Sequence, residues 1–236
     1  MNTFPNTAAF RQAYGNNKSQ VVWTTLVADL ETPVSAMLKL ADGRANAFLL
    51  ESVEGGAVRG RFSIIGMRPD LIWRFHRHKA ELNRNARTDP NAFVACPGPP
   101  MHSLRALINE SRIDLPSELP PMASGLFGYM GYDSVRLTEK IPDDNPDDLE
   151  VPDGLFLRPT QICIFDRLED IVTIVTPVWP DKEVPAKVAY ESARTRLADT
   201  VADFERSLPY RREGTTGISD RTEPTSNTTR GHFHKM

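Results

Sequence analysis

The stretch Ala47–Pro69, AFLLESVEGGAVRGRFSIIGMRP, carries the strongest indication of the fold. Its first apolar run, FLL, ends at Glu51 and Ser52. The pair Gly55–Gly56 follows, and a second apolar run occupies Phe62–Ile65. Two strand-like runs joined by a short glycine-containing turn predict a β-hairpin.

Glu51 and Ser52 end a strand that is predicted to be buried, and this position allows two interpretations. A carboxylate and a hydroxyl next to a buried strand can hold a small polar ligand, because buried polar groups need hydrogen-bond partners. The same two residues also fit a strand that has simply reached the surface. Spacing alone favours the surface interpretation.

The rest of the chain predicts an α+β fold, with mostly antiparallel sheets and packed helices. Helical spacing is found at 6–14, 33–41, 101–113 and 184–208, and strand-like runs at 20–27, 71–82, 160–165 and 171–178. Thr32 and Pro33 are typical of a helix start, since threonine caps and proline suits the first turn. The apolar side chains predicted to form the buried face of that helix are Val34, Met37, Leu38 and Ala41.

Composition excludes several classes of function. With 40% hydrophobic and 25% charged residues and a net charge of −3, the chain gives no electrostatic reason to expect nucleic-acid or membrane binding. The first residues lack the features of a secretory signal.

Cys96 and Cys163 are far apart and predict free thiols in a reducing cytoplasm. His76 and His78 share a strand face, but solvated histidines are the better interpretation because a third metal ligand is missing nearby.

The segment GLFGYMGYDSVR (Gly125–Arg136) has a glycine every third residue at Gly125, Gly128 and Gly131. Small residues allow a second backbone to approach closely. The spacing of a phosphate-binding loop is not present. We therefore predict that this strand packs against a following domain.

Taken together, LLES, GRFSIIG and GLFGYMGYDSVR resemble the N-terminal region of anthranilate synthase component I. The three motifs occur in the order of that family, and the resemblance runs from about Val22 to Met236. The family shares its fold with aminodeoxychorismate synthase and isochorismate synthase. The alternatives are therefore aminodeoxychorismate synthase component I and a stand-alone amino-acid-binding regulatory domain.

The resemblance implies an enzyme, a lyase that converts chorismate and ammonia to anthranilate and pyruvate in tryptophan biosynthesis. It implies Mg²⁺ in the catalytic domain and a glutamine amidotransferase partner, component II, in a heterotetramer of two large and two small subunits. Residues 1–208 would form the N-terminal regulatory domain, and residues 209–236 a linker with the truncated start of the catalytic domain. Catalytic and metal-binding residues would then lie beyond Met236, and we assign none in this chain.

The resemblance also implies a site for the feedback inhibitor L-tryptophan in this region. By motif, Glu51 and Ser52 would contact the polar end of the amino acid, and Pro33 would lie against the indole. A carboxylate can pair with the α-ammonium group, and a hydroxyl can donate or accept a hydrogen bond. The alternative is that Pro33 only starts a helix and Glu51 is a surface charge.

Overall fold

The computed structural model describes residues 1–41, 43–54, 58–142, 147, 149–208 and 226–235 of the chain. Within these residues, eight strands form one sheet in which every pairing is antiparallel. They are β1 (Gln20–Val27), β2 (Phe48–Glu54), β3 (Val58–His76), β4 (Lys79–Asn83), β5 (Phe93–Ala95), β6 (Phe127–Met130), β7 (Gly154–Asp166) and β8 (Ile171–Val178). The order is β1-β8-β7-β3-β4-β5, with β2 paired to β3 and β6 paired to β7.

Five helices accompany the sheet in the described residues: α1 (Thr7–Gly15), α2 (Pro33–Leu40), α3 (Pro100–Glu110), α4 (Ala186–Phe204) and the short α5 (Arg230–Phe233). Helices α1, α2 and α4 contribute to one apolar core, in which Phe10, Leu40 and Leu197 pack with strand residues such as Ile65 and Ile174. Helix α3 packs in a separate cluster around Trp73. The predicted α+β class is therefore confirmed.

The central strand β7 is buried on both of its faces. Ile162, Cys163, Ile164 and Phe165 on β7 are each at most 3% exposed, although successive side chains point to opposite faces. A strand that has neighbours on both sides and packing on both faces has a continuous run of apolar residues in its sequence. Burial raises the pKa of the Cys163 thiol far above its ordinary value, so this cysteine is inert.

The predicted hairpin is present, since β2 pairs with β3 from Phe48 opposite Gly66 to Glu54 opposite Val58. The glycine turn at Gly55–Gly56 lies outside the described residues. Strand β3 is longer than the motif indicated, because it continues without a break into the second predicted hairpin, which ends in β4. The hairpin of β7 and β8 is also confirmed.

The buried face of α2 differs from the prediction. Pro33, Ala36 and Leu40 are the buried residues of this helix, whereas Val34 is 52% exposed. Both sets recur at three- and four-residue intervals, so periodicity alone fits either face. Packing against the sheet and α4 selects the buried face; the prediction was wrong for Val34, whereas Met37 does pack against the core.

The glycine-rich segment packs within this chain. A side chain at Gly128 would place its Cβ 1.8 Å from the carbonyl oxygen of Leu155, on the neighbouring strand β7. The crowding is therefore the close approach of two strands of one sheet. Our interpretation that this strand packs against a following domain stays a prediction, since the contact seen at Gly128 is with β7.

Some of the remaining sequence predictions concern described residues, and others concern residues that the structure does not describe. The long helix predicted over 184–208 is α4, and none of the described helices is long and apolar enough to cross a membrane. Both cysteines are free thiols. Most of the predicted linker falls on residues 209–225, outside the described residues, and the division of the chain at residue 208 stays a prediction.

Candidate functional site

Pro33 lies in the first turn of α2, where the predicted helix-start signals are present. Thr32 Oγ1 accepts a hydrogen bond from the backbone N–H of Ser35 at 3.1 Å, and Ser35 Oγ accepts one from the N–H of Thr32 at 2.9 Å. This capping box satisfies two donors that a helix start would otherwise leave free. Pro33 itself is buried, so its ring is held in a fixed position.

Glu51 lies on β2 and forms an ion pair with Arg167, which follows β7. Arg167 Nη2 donates to Glu51 Oε1 at 3.2 Å, and the side chains of Arg167 and Glu51 are 27% and 39% exposed. The backbone N–H of Arg167 donates to the carbonyl of Arg61 at 3.1 Å, which anchors the arginine against β3. Glu51 is therefore a surface carboxylate with a cationic partner already in place.

Ser52 occupies an irregularity in the β2–β3 pairing. The register shifts between Glu51 and Val53, and Ser52 has no cross-strand partner residue. Its Oγ donates to the carbonyl of Phe62 at 3.3 Å. A Cβ at Gly60 would lie 1.7 Å from that Oγ, so the glycine provides the space that the serine occupies. Bulges of this kind redirect a side chain near a sheet edge.

The turn from Asp166 to Asp170 between β7 and β8 contacts both parts of the candidate site. Through Arg167 it reaches Glu51 on β2. Through the carbonyl of Asp170 it accepts the N–H of Ala28 at 2.9 Å, in the segment that leads from β1 to α2. The turn therefore ties Glu51 and the approach to Pro33 to one structural unit.

Asp166 holds this turn in shape. Its carboxylate accepts two hydrogen bonds from Arg61, at 2.9 and 2.6 Å, and a third from the backbone N–H of Leu168 at 3.0 Å. The hydrogen bond from Arg61 is the largest cause that lowers the pKa of Asp166 below its ordinary value, and burial acts in the opposite direction. The ionised form is the one that stabilises the turn.

Sequence reasoning identified Glu51, Ser52 and Pro33 but missed Arg167. The arginine belongs to the polar segment DRLED between two strand-like runs, a composition that predicts only a turn. Arg167 and Glu51 are 116 residues apart in the chain. The order of strands β2, β3 and β7 brings them together, and no motif in the sequence signals this.

No metal centre is formed by the described residues. No three side chains of histidine, cysteine, aspartate or glutamate converge within them, and His76 and His78 are exposed at the end of β3 and in the turn that follows. The donor set that Mg²⁺ requires, several oxygen ligands at one point, is therefore not found in this part of the chain.

The sequence is similar to several known proteins that share the name anthranilate synthase component 1. The chain is 46% identical over 205 residues to anthranilate synthase component 1 of Cereibacter sphaeroides, which covers 87% of this chain and 41% of that protein. It is 36% identical over 176 residues to the protein of the same name from Thermus thermophilus, covering 73% and 35%. The component 1 of Mycolicibacterium smegmatis is 33% identical over 217 residues, covering 86% and 40%.

A solved structure titled anthranilate synthase component I, from Streptococcus pneumoniae TIGR4, aligns with 78% of this chain and 37% of its own at 21% identity. The TM-score of this alignment is 0.49. No protein-family model matches the chain.

The resemblance predicted from the LLES, GRFSIIG and GLFGYMGYDSVR motifs is therefore confirmed by the curated relatives. The chain spans about two fifths of the length of the relatives it matches, with 41%, 35% and 40% of each covered.

Proposed function

We propose that this chain is part of the large component of an anthranilate synthase, and that it contributes a regulatory site for L-tryptophan. The observation that carries the proposal is the 46% identity over 205 residues to a protein of that name. In the complete protein, chorismate and ammonia would be converted to anthranilate and pyruvate. A glutamine amidotransferase component would supply the ammonia.

Catalysis in this proposal belongs to residues outside this chain. Mg²⁺ would be held there as well, since the described residues offer no matching set of oxygen ligands. The residues of this chain would act on the inhibitor.

The geometry around Glu51 suits the polar end of an amino acid. An α-amino acid carries an ammonium and a carboxylate group on one carbon, and Glu51 and Arg167 present the two opposite charges 3.2 Å apart. A bound amino acid would exchange this single ion pair for two charge-assisted contacts, from its ammonium to Glu51 and from its carboxylate to Arg167.

Ser52 and Pro33 would complete the site. The Ser52 hydroxyl donates its proton to the carbonyl of Phe62, so its lone pairs stay available to accept a hydrogen bond from the ammonium group. Pro33, which is buried at the capped start of α2 in the structure, would lie against the indole ring.

Inhibition would follow from linkage between binding and conformation. L-tryptophan must bind one arrangement of the protein more tightly than another, and the shift in activity cannot exceed that difference in affinity. A substitution in the site should therefore change the inhibition and leave the uninhibited turnover in place.

The test uses the full-length protein and follows anthranilate formation from chorismate and ammonia with increasing L-tryptophan. We expect Ser52→Ala to weaken inhibition by about tenfold while turnover without inhibitor changes less than about twofold. Ser117→Ala, at an exposed serine outside the site, is the matched control and should behave as the unsubstituted protein.

Two results would overturn parts of the proposal. Formation of aminodeoxychorismate in place of anthranilate would assign the chain to the alternative synthase. A Ser52→Ala protein that lost basal turnover but kept its sensitivity to L-tryptophan would remove Ser52 from the inhibitor site.

A further inference from the structure

A cavity beside α4 shares no residue with the Glu51 site. It has a volume of 260 Å³ and is formed between α4, the end of β8 and the irregular part of the β3–β7 pairing. A single water needs only about 10–15 Å³ of such space, so the cavity can hold a small organic molecule. The residues that matter most for its chemistry are Asp70, Arg87, Thr160, Trp179 and Arg196.

Two of these residues carry buried donors without an acceptor. The Nε atom of Arg196 and the Nε1 atom of Trp179 are both buried, and neither finds a hydrogen-bond partner among the described residues. The rest of the arginine is partly engaged, since its Nη1 donates to Ser192 Oγ at 2.9 Å. Buried donors are almost always satisfied in folded proteins, so two in the lining of one cavity call for an acceptor.

The two carboxylates of the cavity, Asp70 and Asp181, both accept hydrogen bonds from other residues of the chain. Both oxygens of Asp70 accept hydrogen bonds from Arg158, at 2.9 and 2.8 Å. Asp181 accepts the backbone N–H of Glu183 at 2.9 Å. Arg158 therefore shares the charge of Asp70 with Arg196.

Two guanidinium groups, those of Arg87 and Arg196, line the cavity. Arg87 lines it from the loop between β4 and β5, where the residue is exposed. The pKa of Arg196 is lowered to about 10, mainly by burial and also by the nearby Arg87, while Asp70 acts in the opposite direction. Two guanidinium groups that repel each other are stabilised by an anion placed between them.

The remaining wall of the cavity is apolar. Helix α4 contributes Val188 and Ala189, and β8 contributes Pro177 and Val178. The indole of Trp179 is held in place because the guanidinium of Arg158 stacks over it at 4.0 Å from the ring centroid. A ligand with an apolar body would contact this wall while its charged end reached the arginines.

We propose that this cavity binds a small organic anion, whose carboxylate or phosphate oxygens accept hydrogen bonds from Arg196 and Trp179 and pair with Arg87. The site does not depend on the proposed tryptophan site, with which it shares no residue. Arginine recognises both anionic groups through its planar array of donors, so carboxylate and phosphate are separated by experiment.

The experiment follows the indole N–H signals of the ¹⁵N-labelled 236-residue chain by NMR during titration with sodium benzoate or with inorganic phosphate. The Trp179 signal is assigned by Trp179→Phe. Trp73 serves as an internal reference, because its Nε1 already donates to Ser103 Oγ at 2.9 Å. We expect a saturable shift of the Trp179 signal below about 10 mM ligand and a static Trp73 signal.

Substitutions locate the anion within the cavity. Arg196→Gln should weaken binding by at least about tenfold, whereas Arg194→Gln, an equal change of charge at an exposed position on α4, should leave the affinity unchanged. Arg87→Gln, in an exposed loop, gives the same test if Arg196→Gln does not fold.

Saturation by benzoate alone identifies a carboxylate ligand with an apolar body, and saturation by phosphate alone identifies a phosphate ligand. The proposal is overturned if neither anion shifts the Trp179 signal in a saturable manner. It is also overturned if Arg194→Gln weakens binding as much as Arg196→Gln does, because the effect would then be one of net charge.

Discussion

The two polar regions of this molecule differ in how their charges are satisfied. At the β2 edge, Glu51 is paired with Arg167, and both side chains are more than a quarter exposed. In the cavity beside α4, Arg196 Nε and Trp179 Nε1 are buried and find no acceptor among the described residues. The first region is marked by a sequence motif, and the second is marked by its lack of hydrogen-bond partners.

The comparison shows that a motif and an electrostatic imbalance locate different kinds of site. The β2 edge is stable without a ligand, because each charge has a partner and water reaches both. The cavity holds charge in a place where solvation is poor, and this costs free energy unless an anion or water is bound. Substitutions in the two regions should therefore change the free energy of unfolding by different amounts, and this difference can be measured.

The largest expected effect comes from breaking the ion pair beside the cavity. Asp70→Asn removes the charge that faces Arg158, which is only 8% exposed and would be left uncompensated. Because Asp70 is itself partly exposed and Glu110 lies 3.7 Å from Arg158, we expect a loss of about 2 kcal/mol in the free energy of unfolding. Urea denaturation measures it.

The matched variant for this prediction is Glu51→Gln, which breaks the ion pair at the β2 edge. Exposed ion pairs contribute little, so the loss should be below about 1 kcal/mol. Equal losses for Asp70→Asn and Glu51→Gln would contradict the distinction between a buried and a surface pair.

An intermediate effect is expected from crowding Ser52. In Gly60→Ala, the added methyl carbon would lie 1.7 Å from Ser52 Oγ and 2.6 Å from its Cβ, so the serine must move. We expect a loss of about 1–2 kcal/mol in the free energy of unfolding, measured by urea denaturation.

Two further variants serve as controls for Gly60→Ala. Ser52→Gly combined with Gly60→Ala should lose less than Gly60→Ala alone, because the clashing atoms are gone. Gly15→Ala, which meets no atom within 4 Å, should change stability by less than about 0.5 kcal/mol. A full loss in the double variant would show that the strain lies in the backbone of β3 and not in contact with Ser52.

The smallest effect concerns the pH dependence of the turn that carries Arg167. The pKa of Asp166 is lowered in the folded protein, mainly by the hydrogen bond from Arg61. Its stabilisation is present above the pKa of the unfolded chain and is lost as the pH falls through the lower, folded value. We expect Asp166→Asn to cost about 1 kcal/mol at neutral pH and progressively less at acidic pH.

Denaturation curves of both proteins between about pH 2 and pH 7 give this difference. Asp114→Asn, at an exposed aspartate, controls for the loss of one carboxylate and should show no such trend. A difference that grew on acidification would mean that Asp166 is stabilised in its neutral form, contrary to the hydrogen bonds from Arg61 and Leu168.

The local elements of this fold were largely predictable from the sequence. The cap at Thr32, the strand from Gln20 to Val27 and the β7–β8 hairpin follow from short-range preferences of the backbone, which act within a few residues. The buried face of α2 was not predictable in the same way. Two overlapping stripes satisfy the helical period, and only the position of the sheet selects Pro33, Ala36 and Leu40.

The candidate tryptophan site was predictable only where its residues belong to a motif. Glu51, Ser52 and Pro33 are adjacent to recognisable strand and helix signals, and their role at that site stays a prediction. Arg167 was missed because its contact with Glu51 depends on the pairing of β3 with both β2 and β7. The same limit applies to Gly128, whose close contact with β7 the sequence did not indicate.

The sequence by itself determined the α+β class, the hairpins, the helix caps and the relationship to anthranilate synthase component 1, because these depend on local patterns and on motif order. The tertiary structure alone decided which charges meet. Glu51 and Arg167 are 116 residues apart, and Arg158 and Asp70 are 88 residues apart. Such pairs form when sheet order brings distant strands together, and the burial that the fold imposes then determines whether a charge is paired, as at Glu51, or left in need of a ligand, as at Arg196.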